Sequence, residues 1–257
     1  MADSALQAQL DAAGLDWIVP DWPAPAHVRA LSTTRNGVRG SAADFSKRSL
    51  DAASAHSALR RLCYGEPVWL AQVHGAAVCD ADAWREGAPT ADAAVSRTTG
   101  KACAVLTADC LPVLFSDRSG NTVGAAHAGW RGLAAGVLEA TVDAMRTEPS
   151  NLLVWLGPAI GPRSFQVGRE VFESFCADDA AAAECFAPER DGKWRADLYG
   201  LARRRLARIG VKAIFGGGRC TYTERNFFYS YRRGGEEASA RMATLIWIEP
   251  HEMRDAS

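Results

Sequence analysis

The sequence predicts an α+β fold with largely antiparallel or mixed β-sheets. Short apolar runs bounded by Gly, Pro, Asp or Asn outnumber the amphipathic helical segments, which favours a sheet-rich architecture. A strong turn sequence, Ser116 to Asn121, separates two of these runs and indicates a hairpin. Neither an internal repeat nor a linker rich in Gly, Pro or Ser divides the 257 residues, so we expect a single domain over residues 1–257.

The predicted elements follow one another with short connections. Residues 20–25, Pro-Asp-Trp-Pro-Ala-Pro, indicate a stiff extended entry segment. Two amphipathic segments predict helices, Leu133–Met145 after Gly132 and Asp197–Ile209 before Gly210. The predicted strands are Val68–Gln72, Ala102–Thr107, Pro112–Phe115, Thr122–His127, Leu152–Leu156 and Ala243–Ile248.

Composition excludes several classes of function. The chain has 29 Lys and Arg and 30 Asp and Glu, so its net charge is −1. This balance rules out general electrostatic binding to nucleic acid or to an anionic membrane. The seven Cys are odd in number and irregularly spaced, unlike a disulfide framework. The first residues lack a signal-peptide pattern, and no apolar run approaches the ~18 residues that a membrane span needs. We therefore expect a cytoplasmic protein.

Three side chains are the candidates for chemistry. His74 and His127 each stand at a predicted strand end in a Gly-containing turn, and Cys110 lies in a break between two predicted strands. If Pro112–Phe115 pairs with Thr122–His127 about the turn at 116–121, Cys110 and His127 share the open end of the hairpin. His74 follows a strand in the same way, so the three side chains can converge at one rim.

Two imidazoles and one thiolate suit Zn²⁺, which binds such ligands at about 2.0–2.3 Å. Three protein ligands leave a position open for water or substrate, as in catalytic zinc sites, and zinc lowers the pKa of that water towards ~7. Asp109, next to Cys110, is a candidate for orienting the ligand or moving a proton. A metal-free alternative makes Cys110 a nucleophile and His127 its base. Structural roles for all three side chains remain the third interpretation.

The motifs around these residues resemble the YfiH-like family, whose members also carry the names multicopper polyphenol oxidase (laccase), purine nucleoside phosphorylase and peptidoglycan editing factor. The resemblance runs from about residue 68 onwards, whereas residues 1–65 form a divergent N-terminal part that keeps only Thr33-Thr34-Arg35 of the opening motif. The matching stretches are Trp69 to Gly75, Ala91-Asp92-Ala93, Thr107 to Phe115, His127 to Gly132, Trp155 to Pro162, Asp197-Leu198-Tyr199, Cys220 to Thr223 and Phe228 to Arg233.

The resemblance implies a layered α-β-β-α sandwich and a zinc ion held by His74, Cys110 and His127. It implies phosphorolysis of adenosine, inosine and methylthioadenosine, together with adenosine deamination. Phosphorolysis needs a phosphate beside the ribose, for which Arg35, Arg131 and Arg232 are the candidate contacts.

Other functions remain open. The name peptidoglycan editing factor implies a hydrolase that acts on a muropeptide precursor with the same Zn or Cys–His site. Copper-dependent polyphenol oxidation is weaker, because one Cys and two His can hold a single Cu²⁺ but five His are too few for a multicopper cluster. A non-enzymatic member that keeps the metal as a structural clip is the last alternative. The enzymatic interpretations all imply a small-molecule partner.

Overall fold

The structure is a computed structural model that describes residues 3–38, 41–46 and 50–250. Its α-helices are α1 (Ser4–Ala12), α2 (Leu50–Leu62), α3 (Trp130–Ala134), α4 (Val137–Met145), α5 (Arg169–Cys176) and α6 (Leu198–Arg208). Its strands are β1 (Val28–Ser32), β2 (Glu66–Val68), β3 (Val78–Asp80), β4 (Ala93–Ser96), β5 (Lys101–Thr107), β6 (Leu111–Asp117), β7 (Val123–Ala128), β8 (Leu152–Leu156), β9 (Gln166–Val167), β10 (Phe186–Pro188), β11 (Trp194–Ala196), β12 (Ala213–Gly216) and β13 (Met242–Ile248).

The strands form three sheets. A four-stranded sheet has the order β1-β13-β5-β2, antiparallel except for the parallel pair β2 and β5. A six-stranded sheet has the order β12-β8-β6-β7-β4-β3, with parallel pairs only at its two edges. The third sheet is a small antiparallel one of order β10-β11-β9. This arrangement confirms the predicted α+β class with mixed and antiparallel sheets.

The two larger sheets pack face to face, and helices cover their outer faces. Alternate residues of β5 show this layering, because successive side chains of a strand point to opposite faces. Ala102 and Ala104 join the cluster that contains Leu10 of α1 and Leu59 of α2, whereas Cys103 and Val105 join the layer between the sheets. On the far side, β6 and β8 pack against α4 and α6. The layers are therefore α-β-β-α, as the family resemblance implies.

Four of the predicted strands match β5, β6, β7 and β13 to within two residues, and Leu152–Leu156 coincides with β8. The strand predicted at Val68–Gln72 is wrong beyond Val68, where β2 ends. The helix predicted at Leu133–Met145 is also wrong as one unit, because Gly136 adopts φ +91° and separates α3 from α4. The helix predicted at Asp197–Ile209 matches α6. No helix within the described ranges is long and apolar enough to span a bilayer.

The predicted hairpin forms between β6 and β7, with Pro112 opposite His127 and Leu111 opposite Ala128. Strand β5 belongs to the four-stranded sheet and β6 to the six-stranded sheet, so residues 108–110 cross from one sheet to the other. The crossing places Cys110 at the open end of the hairpin, beside the end of β7.

Candidate metal centre

The structure brings His74, Cys110 and His127 together. One ligand atom from each residue lies within 4.8 Å of the other two, and Cys110 Sγ is 3.9 Å from His74 Nε2. The centroids of the two imidazole rings are 4.8 Å apart in an edge-on arrangement. Within residues 3–38, 41–46 and 50–250, this is the one group of three His, Cys, Asp or Glu side chains close enough to hold a metal ion.

A fourth residue, Asp92, organises two of these side chains, and sequence reasoning assigned it no role. Its carboxylate is fully buried and lies 2.8 Å from His127 Nδ1. It also accepts the backbone N–H groups of the loop that carries His74, at 3.1 Å from residue 73, 2.9 Å from residue 74 and 2.7 Å from residue 75. Because Asp92 occupies Nδ1, His127 presents Nε2 towards the other ligands.

The loop that carries His74 leaves the sheet where β2 ends. The side-chain amide of Gln72 replaces the missing strand pairing, since it donates to the Leu106 carbonyl at 2.8 Å and accepts the Leu106 N–H at 2.7 Å. His74 itself has φ +61°, a conformation uncommon for a residue with a Cβ. Hydrogen bonds of residues 72–75 thus hold an unfavourable backbone geometry at the ligand.

Asp109 precedes Cys110 in the chain, but its carboxylate forms hydrogen bonds with the segment 221–232 and not with the candidate ligands. It accepts hydrogen bonds from the Thr221 hydroxyl at 2.6 Å, the Ser230 hydroxyl at 2.9 Å and the Arg232 backbone N–H at 2.6 Å. Its backbone has φ +88° and its side chain is buried. Asp109 therefore ties the segment 221–232 to the crossing that carries Cys110. The part that it plays in catalysis stays a prediction.

Electrostatics at the site favour a charged Cys–His pair. Burial alone would raise the pKa of Cys110, but hydrogen bonds with His127 and His74 outweigh burial and lower it to about 6. Burial would lower the pKa of His127, yet its hydrogen bonds to Asp92 and Cys110 raise it to about 9. The thiolate form that metals and electrophiles require is thus favoured at neutral pH.

The close approach of Gly129 to two candidate ligands explains a glycine at the end of β7. A Cβ on Gly129 would lie 2.8 Å from Cys110 Sγ and 3.1 Å from His74 Cδ2, and one on Gly132 would lie 2.8 Å from the Gly75 carbonyl oxygen. Both distances below 3.0 Å are shorter than carbon contacts allow. Side chains at these positions would displace the ligand loops.

The candidate ligands line a cavity of about 560 Å³. Two of the predicted substrate contacts, Arg131 and Arg232, line it as well, together with Trp130. The third, Arg35, is not among the lining residues; its guanidinium donates to the Arg225 carbonyl at 3.0 Å. Sequence reasoning missed the other lining residues, which are Leu70, Gln72, Leu106, Thr107, Ala108, Ile160, Phe165, Leu198, Tyr231 and Arg241.

Known proteins resemble the chain over most of its length. A family model described as multi-copper polyphenol oxidoreductase laccase matches residues 36–249. A purine nucleoside phosphorylase of Pseudomonas aeruginosa is 51% identical over 243 residues, covering 91% of this chain and 98% of that protein. The purine nucleoside phosphorylase YfiH of Escherichia coli is 50% identical over 242 residues, covering 90% of this chain and 98% of that protein.

Solved structures of similar proteins share the fold of this chain over most of its length. A Neisseria meningitidis protein matches with a TM-score of 0.86 and 44% identity, covering 91% of this chain and 100% of that chain. YlmD from Geobacillus stearothermophilus matches with a TM-score of 0.75 and 28% identity, covering 91% of this chain and 96% of that chain.

Proposed function

The chain belongs to the YfiH family, whose family model is described as multi-copper polyphenol oxidoreductase laccase. Because its relatives are named purine nucleoside phosphorylase, we propose that it is a zinc-dependent purine nucleoside phosphorylase that also deaminates adenosine. One observation carries the proposal. In a chain about half identical to relatives named purine nucleoside phosphorylase, a His–Cys–His cluster lines a cavity of about 560 Å³. Cavities of roughly 300–1,000 Å³ are the usual size for small-molecule sites.

The donor set fits zinc. Tetrahedral zinc ligands at about 2.0–2.3 Å lie roughly 3.3–3.8 Å from one another. The spacings here are 3.9 Å between Cys110 Sγ and His74 Nε2 and at most 4.8 Å for the other pairs, so the ligand atoms must close by up to about 1.5 Å to meet that geometry. The Asp92–His127 hydrogen bond supplies the outer support that ligating imidazoles ordinarily have. Zinc would supply Lewis-acid polarisation and a water of lowered pKa.

The cavity walls suit a nucleoside. Leu70, Ile160 and Phe165 offer apolar surface for a purine, and Arg131 and Arg232 bring positive charge to the same space. In phosphorolysis a phosphate oxygen bonds to ribose C1′, the C1′–N9 bond breaks, and the base leaves with its electron pair and takes a proton. In deamination water adds at C6 of adenine and ammonia leaves. The arginines would hold the phosphate through charge-assisted hydrogen bonds.

The test is a product assay on protein of known zinc content. We expect adenosine, inosine and methylthioadenosine each to release the free base in phosphate buffer, with ribose 1-phosphate from the first two and methylthioribose 1-phosphate from the third, and adenosine to yield inosine without phosphate. The His74→Ala variant, if folded by circular dichroism, should lose both activities. A fully zinc-loaded protein that turns over none of these nucleosides would overturn the proposal.

A second candidate function is amide hydrolysis of a muropeptide precursor, and one observation favours it. The Cys110 thiol with its pKa lowered to about 6, beside His127 with its pKa raised to about 9, is the arrangement of an activated thiol nucleophile and its acid–base partner. A UDP-linked muramoyl-serine is the substrate to offer. Release of free serine, lost in Cys110→Ser, would support it; no release rejects it.

Copper chemistry is the third and weakest candidate, and it derives from the description of the family. The cluster offers one thiolate and two imidazoles, which can hold a single copper ion. Absorbance near 600 nm after copper loading, together with oxidation of a polyphenol, would support this function. A colourless protein without such oxidation would reject it.

A further inference from the structure

A second, smaller cleft adjoins the metal cavity. Its volume is about 210 Å³, and Trp130, Arg131, Phe165 and Arg232 line both spaces. The two cavities therefore meet at these four side chains. At this size the cleft is below the ~300 Å³ at which sites for drug-sized ligands begin, so it suits a small ion rather than a nucleoside.

The cleft is positively charged. Arg131, Lys193 and Arg232 line it, against a single carboxylate, Glu170. In the described part of the chain none of the three cations forms an ion pair with a carboxylate. Other arginines nearby are neutralised, as in the pair of Arg195 with Glu189 at 2.6 Å. Unneutralised cations that face one concave space raise the local concentration of anions.

Two of the cations are held in place by aromatic rings. The guanidinium of Arg131 lies 4.3 Å from the centroid of the Trp130 ring, and that of Arg232 lies 5.4 Å from the centroid of the Phe165 ring. Arg232 also donates from Nη1 to the Gln166 carbonyl at 2.8 Å. A guanidinium has five N–H donors, so both side chains keep donors for an oxoanion.

We propose that this cleft is an oxoanion subsite that takes inorganic phosphate, with Lys193 as a phosphate-binding residue. The inference deepens the proposed phosphorylase function and rests on it. Phosphate in the small cleft would lie next to a nucleoside in the large cavity, because Arg131 and Arg232 line both spaces. Lys193 comes from the loop before β11, and neither the family resemblance nor the spacing of motifs points to it.

The test compares matched lysine variants. Lys193→Ala should raise the KM for phosphate about tenfold, which is the loss of one charge-assisted hydrogen bond, while the KM for nucleoside and the zinc content stay unchanged. Lys212→Ala removes an exposed lysine outside both cavities and should leave every parameter unchanged. Glu170→Gln should lower the KM for phosphate about threefold, because a repulsive charge is removed. Equal phosphate KM values for the two lysine variants would overturn the proposal.

Binding without turnover separates this inference from the proposed function. Equilibrium dialysis of radiolabelled inorganic phosphate against zinc-loaded protein, with no nucleoside present, should give weaker binding for Lys193→Ala than for Lys212→Ala. That result supports the subsite even if no nucleoside is turned over. Phosphate binding that is the same in both variants, or undetectable in wild type, overturns the subsite even if the phosphorylase assay succeeds.

A competition experiment with AMP and adenosine distinguishes free phosphate from the phosphate ester of a larger substrate. If the cleft served a phosphate ester of a larger substrate, AMP would bind much more tightly than adenosine and Lys193→Ala would abolish that difference. The proposal expects AMP and adenosine to compete equally well. A Lys193-dependent preference for AMP, with no effect on inorganic phosphate, would overturn it.

Discussion

The carboxylate of Asp92 lies 2.8 Å from Nδ1 of His127, and both side chains are buried. The same carboxylate accepts the backbone N–H groups of residues 73–75. One side chain therefore sets the ring orientation of His127 and the backbone of the loop that carries His74. Two candidate ligands that are far apart in sequence depend on a single buried anion.

Replacing Asp92 should weaken metal binding. Asp92→Asn keeps the shape but offers one acceptor where the carboxylate offers two, so we expect a 10- to 100-fold loss of zinc affinity, the usual effect of removing an outer-shell carboxylate. Titration against a competing chelator measures it. Asp143→Asn changes an exposed carboxylate on α4 and serves as control. Equal affinities in the two variants would contradict the assigned role of Asp92.

Alkylation should report the charge state of Cys110 in the metal-free protein. Because the pKa of Cys110 is lowered to about 6, its thiolate predominates above that pH, and iodoacetamide labelling should fall as the pH drops through 6. Cys63, whose pKa burial raises to about 12, should stay unlabelled at neutral pH. His127→Gln removes a hydrogen bond that lowers the pKa, so the midpoint should move up. Zinc should protect Cys110, as peptide mass mapping would show.

A methyl group at position 129 should disturb the ligands. Gly129→Ala places a Cβ 2.8 Å from Cys110 Sγ, so either the thiol or the start of α3 must move. We expect a folded protein with zinc affinity at least about tenfold lower, since ligand positions tolerate only small shifts. Calorimetric zinc titration gives the affinity. A zinc affinity equal to that of the wild type would show that the side chains around position 129 can accommodate a Cβ without displacing the ligands.

Asp109→Asn distinguishes positioning from proton transfer. The amide nitrogen of asparagine would face a hydrogen-bond donor, and the loss should be about 2–4 kcal/mol, or a melting temperature lower by about 5–10 °C. Thr221→Val removes one of the three donors and should cost less. If Asp109 instead moves a proton, the variant should keep its stability and lose a limb of the pH–rate profile. Differential scanning calorimetry and pH–rate measurements together decide between the two roles.

Gly136 should tolerate substitution poorly because of its conformation. A Cβ there would meet nothing closer than Glu139 Oε2 at 3.7 Å, but φ is +91°. Gly136→Ala should therefore cost about 1–2 kcal/mol of the free energy of unfolding, measured in urea. Gly136→Asn should cost less, because asparagine accepts left-handed geometry more readily. An alanine variant as stable as wild type would mean that α3 and α4 can merge into one helix.

Much of the fold follows from local patterns. Strands β5, β6, β7, β8 and β13 are apolar runs with clear ends, and the polar turn at 116–121 predicts the hairpin of β6 and β7. The pattern failed where tertiary contacts override it. Trp69 to Gln72 read as strand, but the Gln72 amide takes over the pairing with Leu106. The apolar residues from Leu133 onwards keep a helical period across Gly136, so the periodicity predicts one continuous helix where the structure has two.

The candidate ligands could be predicted because chemistry limits the choices. The chain has only five His, and one Cys lies in a break between two predicted strands. The predicted hairpin brings Cys110 to His127, and the strand that ends before His74 brings the third side chain to the same rim. Asp92 could not be assigned in the same way, because nothing in Ala91-Asp92-Ala93 shows that its carboxylate is buried against His127. Lys193 and Phe165 were missed because the cleft they line comes from segments distant in the chain.

The position of β13 between β1 and β5 has a consequence for synthesis. A ribosome produces β1 and β5 long before β13, and neither of these strands pairs with the other in the finished sheet. While translation continues, both strands expose unpaired backbone edges, which are sites of aggregation. A nascent chain stalled before residue 242 should therefore need a chaperone to stay soluble.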